Sequence, residues 1–318
     1  MRAEFKIWQQ DSRAHYAMFE PSDRKTPVFI DRFPIGSKRI NELMTPLLDK
    51  INACEVLRLK LFQIEFLTTL AGEALVTMIY HKALDEQWQD IAKALESELD
   101  CHIIGRSKKQ KVVLSQDFVT EHLSIRGRVF SYQQVEASFT QPNAAICTKM
   151  LNWAMDCSDN SEADLLELYC GNGNFTAPLA TQFDKVVATE ISKTSVKSAE
   201  LNFAKNGIDN VKIARMSSEE FSQAMDKVRA FRRLRDIDLD DYNFSSIFVD
   251  PPRAGMDDHT TEVCKRFNNI MYISCNPDTL LENLRSINLT HEVLRFALFD
   301  QFPYTHHMEC GVFLRERD

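Results

Sequence analysis

The sequence predicts an α/β protein whose second part forms an open, mostly parallel sheet and whose first part is an α+β domain. Three observations carry this reading. From about residue 131, short apolar runs alternate regularly with helix-patterned stretches, as successive βα units require. Before that point strands and helices follow no such alternation. The chain then closes on two strand-like runs in succession, the mark of an antiparallel finish. The expected domains are 1–130 and 131–318.

In the first domain, Ala3–Trp8 alternates polar and apolar residues like a half-buried strand. Lys38–Ala53 places Ile40, Leu43, Met44, Leu47, Leu48 and Ile51 at helical spacing. Phe62–Leu70 and Ala74–His81 read as strands joined at Ala71-Gly72-Glu73. Leu84–Leu99 reads as an amphipathic helix, with further strands at Cys101–Gly105 and Lys111–Leu114.

In the second domain, Asn143–Asp156 is helical and Asp164–Cys170 is a buried strand. The alternation continues through the helix Thr176–Phe183, the strand Lys185–Glu190, the helix Lys193–Asn206 and the strand Val211–Met216. The helix Ser217–Phe231, the strand Ser245–Asp250, a helix near Thr261–Phe267 and the strand Asn269–Cys275 come next. After the helix Pro277–Ile287, His291–Phe299 and Met308–Leu314 form the closing hairpin. Parallel sheets of this kind bind ligands at the carboxyl ends of their strands.

With 318 residues and 44% hydrophobic content the chain buries a sizeable core. Its apolar runs fall far short of a membrane span, and no signal-peptide pattern opens it, so a cytoplasmic protein is expected. The eight cysteines are scattered, with no CxxC pair, which points to free thiols and no metal cluster. Net charge is −8, near neutral in the first domain and acidic in the second, so indiscriminate nucleic-acid binding is excluded. Local basic runs remain at Arg106-Ser107-Lys108-Lys109-Gln110-Lys111 and at Arg229, Arg232, Arg233 and Arg235. Either run also reads as a solvated face.

Three constellations fall at the carboxyl edge of the expected sheet. Leu165–Phe175 runs from a strand into a turn containing Gly171 and Gly173, where a backbone can approach a ligand closely. Glu190 ends the following strand, where a carboxylate accepts hydrogen bonds from ribose hydroxyls. The turn lacks the phosphate-cradling GxxxxGK[ST] run, which favours a nucleoside cofactor such as S-adenosylmethionine over ATP. Asp250-Pro251-Pro252-Arg253 fixes an acid after the fourth strand. Cys275 follows the fifth, beside a helix beginning at Pro277, and a helix N-terminus is expected to favour thiolate. Phe302–Cys310 gathers aromatic, imidazole and carboxylate groups. His306 and His307 are adjacent and point apart on a strand, which argues against a shared metal.

These segments together resemble the RNA uracil-C5 methyltransferases, and most closely the family of bacterial T-loop tRNA enzymes. The matching pieces are Ser138–Asn143, Leu168–Phe175, Thr189-Glu190, Asp250–Arg253, Ser274–Pro277 and Phe302–Cys310. The resemblance implies a class I S-adenosylmethionine-dependent methyltransferase (Rossmann-like) domain behind an RNA-binding α+β domain. It implies S-adenosylmethionine as cofactor and the T-arm of tRNA as partner, with a monomer expected, no metal and no membrane. By resemblance Cys275 is the nucleophile and Glu309 the base, while Gln141, Tyr169, Asn174, Glu190 and Asp250 line the cofactor and uracil site. Phe62 and His81 are matched candidates for T-loop contact, and Arg106, Lys108 and Lys109 are candidates for phosphates. Family members begin some tens of residues before the Met1-Arg2-Ala3-Glu4 segment, so the first domain is expected to be truncated here. Rival readings are an rRNA uracil-C5 methyltransferase, a small-molecule or N-directed methyltransferase, and a non-enzymatic tRNA-binding or folding factor. An RNA cytosine-C5 enzyme fits less well, since Asp250–Arg253 holds no second cysteine.

Overall fold

The computed structural model describes residues 1–158 and 163–317; Asp318, the last residue of the second expected domain, lies outside them. The chain divides into two units, one of residues 1–121 and 134–142, the other of residues 122–133 and 143–318. The chain therefore crosses between units more than once, and residue 130, the expected boundary, falls inside a strand.

The first unit begins with a meander, β1 (Arg2–Gln10), β2 (Arg13–Glu20) and β3 (Asp23–Ile30), followed by α1 (Lys38–Ala53) and a single turn α2 (Glu55–Arg58). Then come β4 (Leu61–Thr68), β5 (Ala74–Tyr80), α3 (Glu86–Leu99), β6 (His102–Ser107) and β7 (Gln110–Val113). The sheet order is β3-β2-β1-β4-β5-β6-β7, antiparallel except for β5 and β6, which α3 connects as a parallel crossover. Period-two alternation sends Ala3, Phe5 and Ile7 of β1 to one face, where Ile40, Met44 and Leu47 of α1 and Trp88 and Ala92 of α3 cover them. Gly105 is required by that packing, because a Cβ there would sit 2.4 Å from the Trp88 ring. The strands β2 and β3 have no counterpart in the sequence reading. The chain enters β2 from β1 at Asp11 and Ser12, both with positive φ but neither a glycine, so the usual turn signal is missing.

A hairpin of β8 (Phe118–Ile125) and β9 (Arg128–Val135), also absent from the sequence reading, leads toward the second unit. That unit contains α4 (Ala144–Cys157), β10 (Asp164–Leu168), α5 (Thr176–Leu179), β11 (Val186–Thr189), α6 (Lys193–Lys205) and β12 (Val211–Ala214). It continues with α7 (Ser218–Met225), β13 (Phe244–Val249), α8 (Asp258–Cys264), β14 (Asn269–Ser274), α9 (Pro277–Ile287), β15 (His291–Phe299) and β16 (Glu309–Glu316). The sheet order is β12-β11-β10-β13-β14-β16-β15, parallel from β12 to β14, with β16 antiparallel to both β14 and β15. The order reverses between β10 and β13, the switch point at which such sheets hold ligands. All five residues of β10 are buried, as befits a central strand covered on both faces.

Two helices are shorter than their patterns suggest. The helix expected to reach Phe231 ends at Met225, after which Lys227 takes a left-handed conformation and Phe231 turns into the core. The helix expected to reach Phe183 is the single turn α5, although Phe183 is still buried. Among the described residues no helix is long and apolar enough to cross a membrane.

Candidate active site

Strand β10 delivers its chain into the glycine turn through Tyr169, whose φ of 64° is left-handed and costly for a residue with a Cβ. Its phenol is anchored by the Ser218 hydroxyl at 2.7 Å, at the start of α7. Gly173, also at positive φ, lies so close to α6 that a Cβ would meet the Phe203 ring at 2.5 Å. Gly171 faces open space. The turn is thus packed at one glycine and open at the other.

Glu190 stands one residue past β11, and its two carboxylate oxygens divide their work. Oε2 accepts the backbone N–H of Gly171 at 3.0 Å and Oε1 that of Ser192 at 2.7 Å. Each oxygen retains a lone pair for a ligand. Tyr169 and Glu190 line a cleft of about 570 Å³ together with Ile191, Met216, Ser217 and the Pro252–Asp257 stretch. That volume suits a nucleoside-sized ligand. Ile191 is 66% exposed, an apolar surface that a flat base could cover. Ser217, which lines the same cleft, is fixed by a capping box with Glu220. The S-x-x-E spacing was visible in the sequence, but its place beside the cleft was not.

Asn174 belongs to the same turn but is engaged in packing. Its side-chain amide nitrogen donates to Cys147 Sγ of α4 at 3.3 Å, and its backbone carbonyl accepts the buried Tyr132 hydroxyl at 3.0 Å. Gln141 is the next-to-last residue of the first unit, two before Asn143, whose side chain caps α4.

A second group forms at the ends of β13, β14 and β16. Ser274 pairs with Cys310 in the antiparallel β14–β16 ladder, which sets Cys275 opposite Glu309 at the next step. Asn276 then donates to the Arg253 carbonyl at 3.1 Å, tying the turn after Cys275 to the turn after Asp250. Three ionisable groups therefore converge in a poorly solvated place. Burial raises the Glu309 carboxyl to about 7, and its Oε2 has no hydrogen-bond partner. Burial, with Glu309 adding to it, raises Asp250 to about 8. The Cys275 thiol is also raised, first by burial and then by the Glu309 and Asp250 charges. The expected lowering by the helix N-terminus is outweighed, because desolvation and two like charges act on the thiolate at close range. Behind this group Glu167 of β10, which the sequence reading passed over, is 1% exposed and raised to about 8, chiefly by burial.

In the first unit, Phe62 and His81 stack at 4.3 Å between centroids, and the Lys6 ammonium, also unnoticed in the sequence, sits 4.2 Å over the Phe62 ring. Arg106 is committed elsewhere. It forms a two-pronged pair with buried Glu136, both distances 2.5 Å, and Lys111 pairs with Asp117 at 2.7 Å. Lys108 and Lys109 lie exposed at the tip of the β6–β7 hairpin. Among the described residues no group of three His, Cys, Asp or Glu could hold a metal ion.

A glycine turn, an acid after the next strand, a cleft at the switch point and an antiparallel closing hairpin define the second unit as a class I methyltransferase fold. The same architecture recurs, at TM-score 0.73 and 18% identity over 98% of this chain and 75% of the other, in a Pyrococcus abyssi tRNA (uracil-54, C5)-methyltransferase solved with S-adenosyl-L-homocysteine. The family model described as tRNA (Uracil-5-)-methyltransferase matches residues 1–317, and the chain belongs to that family. A relative from Saccharophagus degradans, 61% identical over all of this chain and 87% of its own length, carries the name tRNA/tmRNA (uracil-C(5))-methyltransferase. One from Ectopseudomonas mendocina, 57% identical over all of this chain and 88% of its own, carries the same name.

Proposed function

We propose that this protein uses S-adenosylmethionine to methylate C5 of a uracil in tRNA, at uridine 54 of the T-loop, through a covalent bond between Cys275 and C6 of the base. The relatives' names extend the substrates to tmRNA. The single observation that carries the reading is the placement of Cys275 opposite Glu309 beside Asp250. A nucleophile and a base with raised pKa are what this chemistry needs at one place.

Uracil C5 is too weak a nucleophile to be methylated directly. The Cys275 sulfur adds to C6, and the electron pair of the C5–C6 double bond moves toward C5 and O4, making C5 enolate-like. The cofactor, when bound, supplies an electrophilic methyl on a sulfonium. With C5 methylated, Glu309 takes the C5 proton, the double bond re-forms and the C6–S bond breaks, its electron pair leaving with Cys275 as thiolate. A buried carboxylate titrating near 7 suits that acceptor role. The raised thiol holds its proton more tightly than a free cysteine, and a cation nearby lowers the cost of losing it before the sulfur adds.

Tyr169, Glu190 and the cleft beside them would hold the cofactor, Glu190 through its free lone pairs toward ribose hydroxyls. Asp250 would border the uracil. Gln141 and Asn174 join them by resemblance, Asn174 as the residue that shapes the turn. The first domain grips the RNA, with Phe62 and His81 against bases and Lys108 and Lys109 toward phosphates. The target base must leave its stack to reach Cys275. The protein acts as a monomer in the cytoplasm. The test is incubation of an unmodified tRNA transcript with labelled S-adenosylmethionine, followed by nucleoside analysis. 5-Methyluridine at position 54 is expected, and its absence with well-folded protein overturns the reading.

A further inference from the structure

The helix-free face of the first-unit sheet carries a row of rings that the Phe62–His81 pair does not account for. Lys6 and Trp8 alternate to this face of β1, and the register sets Lys6 opposite Ala17 and Trp8 opposite His15 on β2. Ala17 in turn pairs with Phe29 on β3. His15 and Phe29 stack at 4.7 Å with planes 16° apart, and Trp8 meets Phe19 edge to face at 6.2 Å. Ala17, between them, is 1% exposed because the larger rings close over it, yet Trp8 and Phe29 remain 39% and 43% exposed.

The row is continuous with the Phe62–His81 pair through Lys6, whose ammonium lies over Phe62. Cations are interleaved with the rings. Arg13 alternates to this face from His15 and is exposed, while the acids Glu4 and Glu65 pair with each other toward Arg2. A core-forming role does not explain the row, since the main core of this unit is on the other face and the small cluster of Leu67, Leu75, Ile104 and Val119 includes none of these rings. Exposed flat rings separated by cations match the alternating bases and phosphates of an unpaired nucleic-acid strand.

We propose that this face is a second stacking platform, on which unpaired bases of the RNA substrate lie against Trp8 and the His15–Phe29 pair while Arg13 meets a phosphate. The proposal rests on tRNA being the substrate. Adjacent strands lie about 4.8 Å apart, so the path from β4 across β1 and β2 to β3 spans roughly 14 Å, the length of several stacked bases. The platform thus grips RNA outside the nucleotides held at Phe62 and His81, and adds affinity without touching the reacting base.

The test measures tRNA binding and methylation kinetics in the full chain carrying Trp8→Ala and Phe29→Ala, against wild type and the ring-conserving Trp8→Tyr. The expected result is a loss of tRNA affinity of about ten-fold or more, seen in KM with kcat unchanged, and near-complete rescue by Trp8→Tyr. Should the double variant fold poorly, Phe29→Leu keeps apolar bulk at an exposed site and carries the same comparison. Unchanged affinity, a fall confined to kcat, or a change only in oligomeric state would each overturn the platform. A wild-type protein that transfers no methyl to tRNA would instead overturn the functional reading on which it rests.

Discussion

The backbone N–H of Gly171 donates to Glu190 Oε2 at 3.0 Å, joining the turn after β10 to the residue after β11. The carboxylate therefore orders the glycine turn as well as facing the cleft, and the two sides of the cleft are set by one group.

Glu190→Ala is expected to weaken S-adenosylmethionine binding by roughly 10- to 100-fold, since charge-assisted hydrogen bonds contribute about 1.5–3 kcal/mol. Glu190→Gln retains one acceptor oxygen and falls between. Calorimetry on the folded variants decides the matter: wild-type affinity in the alanine variant removes Glu190 from the cofactor site. Affinity for tRNA should change little.

In the proposed reaction Cys275 and Glu309 act at opposite ends. Cys275→Ala is expected to abolish both methylation and any covalent protein–RNA species. Glu309→Gln should add, accept the methyl and stall, leaving a methylated adduct visible by denaturing electrophoresis only when S-adenosylmethionine is present. RNA containing 5-fluorouridine should trap the wild type in the same way, because fluorine does not leave as a cation. If Glu309→Gln folds and turns over normally, Glu309 is not the base.

The acid limb of turnover follows from the same carboxyl. Glu309 titrates at about 7, so below that pH it is increasingly protonated and cannot accept the C5 proton. The rate of product release should fall about ten-fold per pH unit on that limb, measured by single-turnover release of methylated RNA. A rate flat from pH 8 to pH 5.5 would show that another group takes the proton.

The basic run around residue 108 splits in two by geometry. Neutralising Lys108 and Lys109 should flatten the salt dependence of tRNA binding by roughly 0.7–0.9 in log–log slope for each phosphate no longer neutralised. Arg106→Gln should leave the slope alone and lower stability by about 1–3 kcal/mol, because buried Glu136 loses its two-pronged partner while Arg106 itself is partly solvated. Salt titrations beside thermal melts of both variants separate the two roles.

Glu167 gives a stability signature. Its carboxyl is raised from 4.5 to about 8, so the folded protein holds a proton that the unfolded chain releases. Stability from this group is full below about pH 4.5 and is lost as pH rises toward 8, to the extent of a few kcal/mol. Glu167→Gln carries no titrating proton, so its Tm relative to wild type should be higher at pH 8.5 than at pH 5. Melting curves whose difference is the same at both pH values would show that Glu167 does not titrate in this way.

The parallel strands were legible because central strands buried on both faces read as continuous apolar runs, as Val186–Ala188 and Ile247–Val249 do. The meander was not. β3 carries Asp23, Arg24, Lys25 and Pro27 and buries almost nothing, so no alternation marks it. The β8–β9 hairpin did leave a trace, Arg126-Gly127, both at positive φ. Strand-end positions drew attention to Glu190 and Cys275, and the resemblance to Tyr169; each follows a parallel strand. The pairing of Cys275 with Glu309 depends on antiparallel register, and the raised thiol on burial, neither of which a linear pattern encodes. Lys6 and Glu167 were invisible for a simpler reason: a lone lysine or glutamate in a strand has no spacing to betray it.

The left-handed Tyr169 sets a limit on how this protein can be made more rugged. A glycine or asparagine there would relax the backbone, which is where a search for heat resistance alone would lead. It would also delete the phenol that Ser218 holds at the cleft. Under the proposed cofactor role, variants chosen for durability at this position would trade away readiness to bind, and a stability screen run without an activity screen would select against the working enzyme.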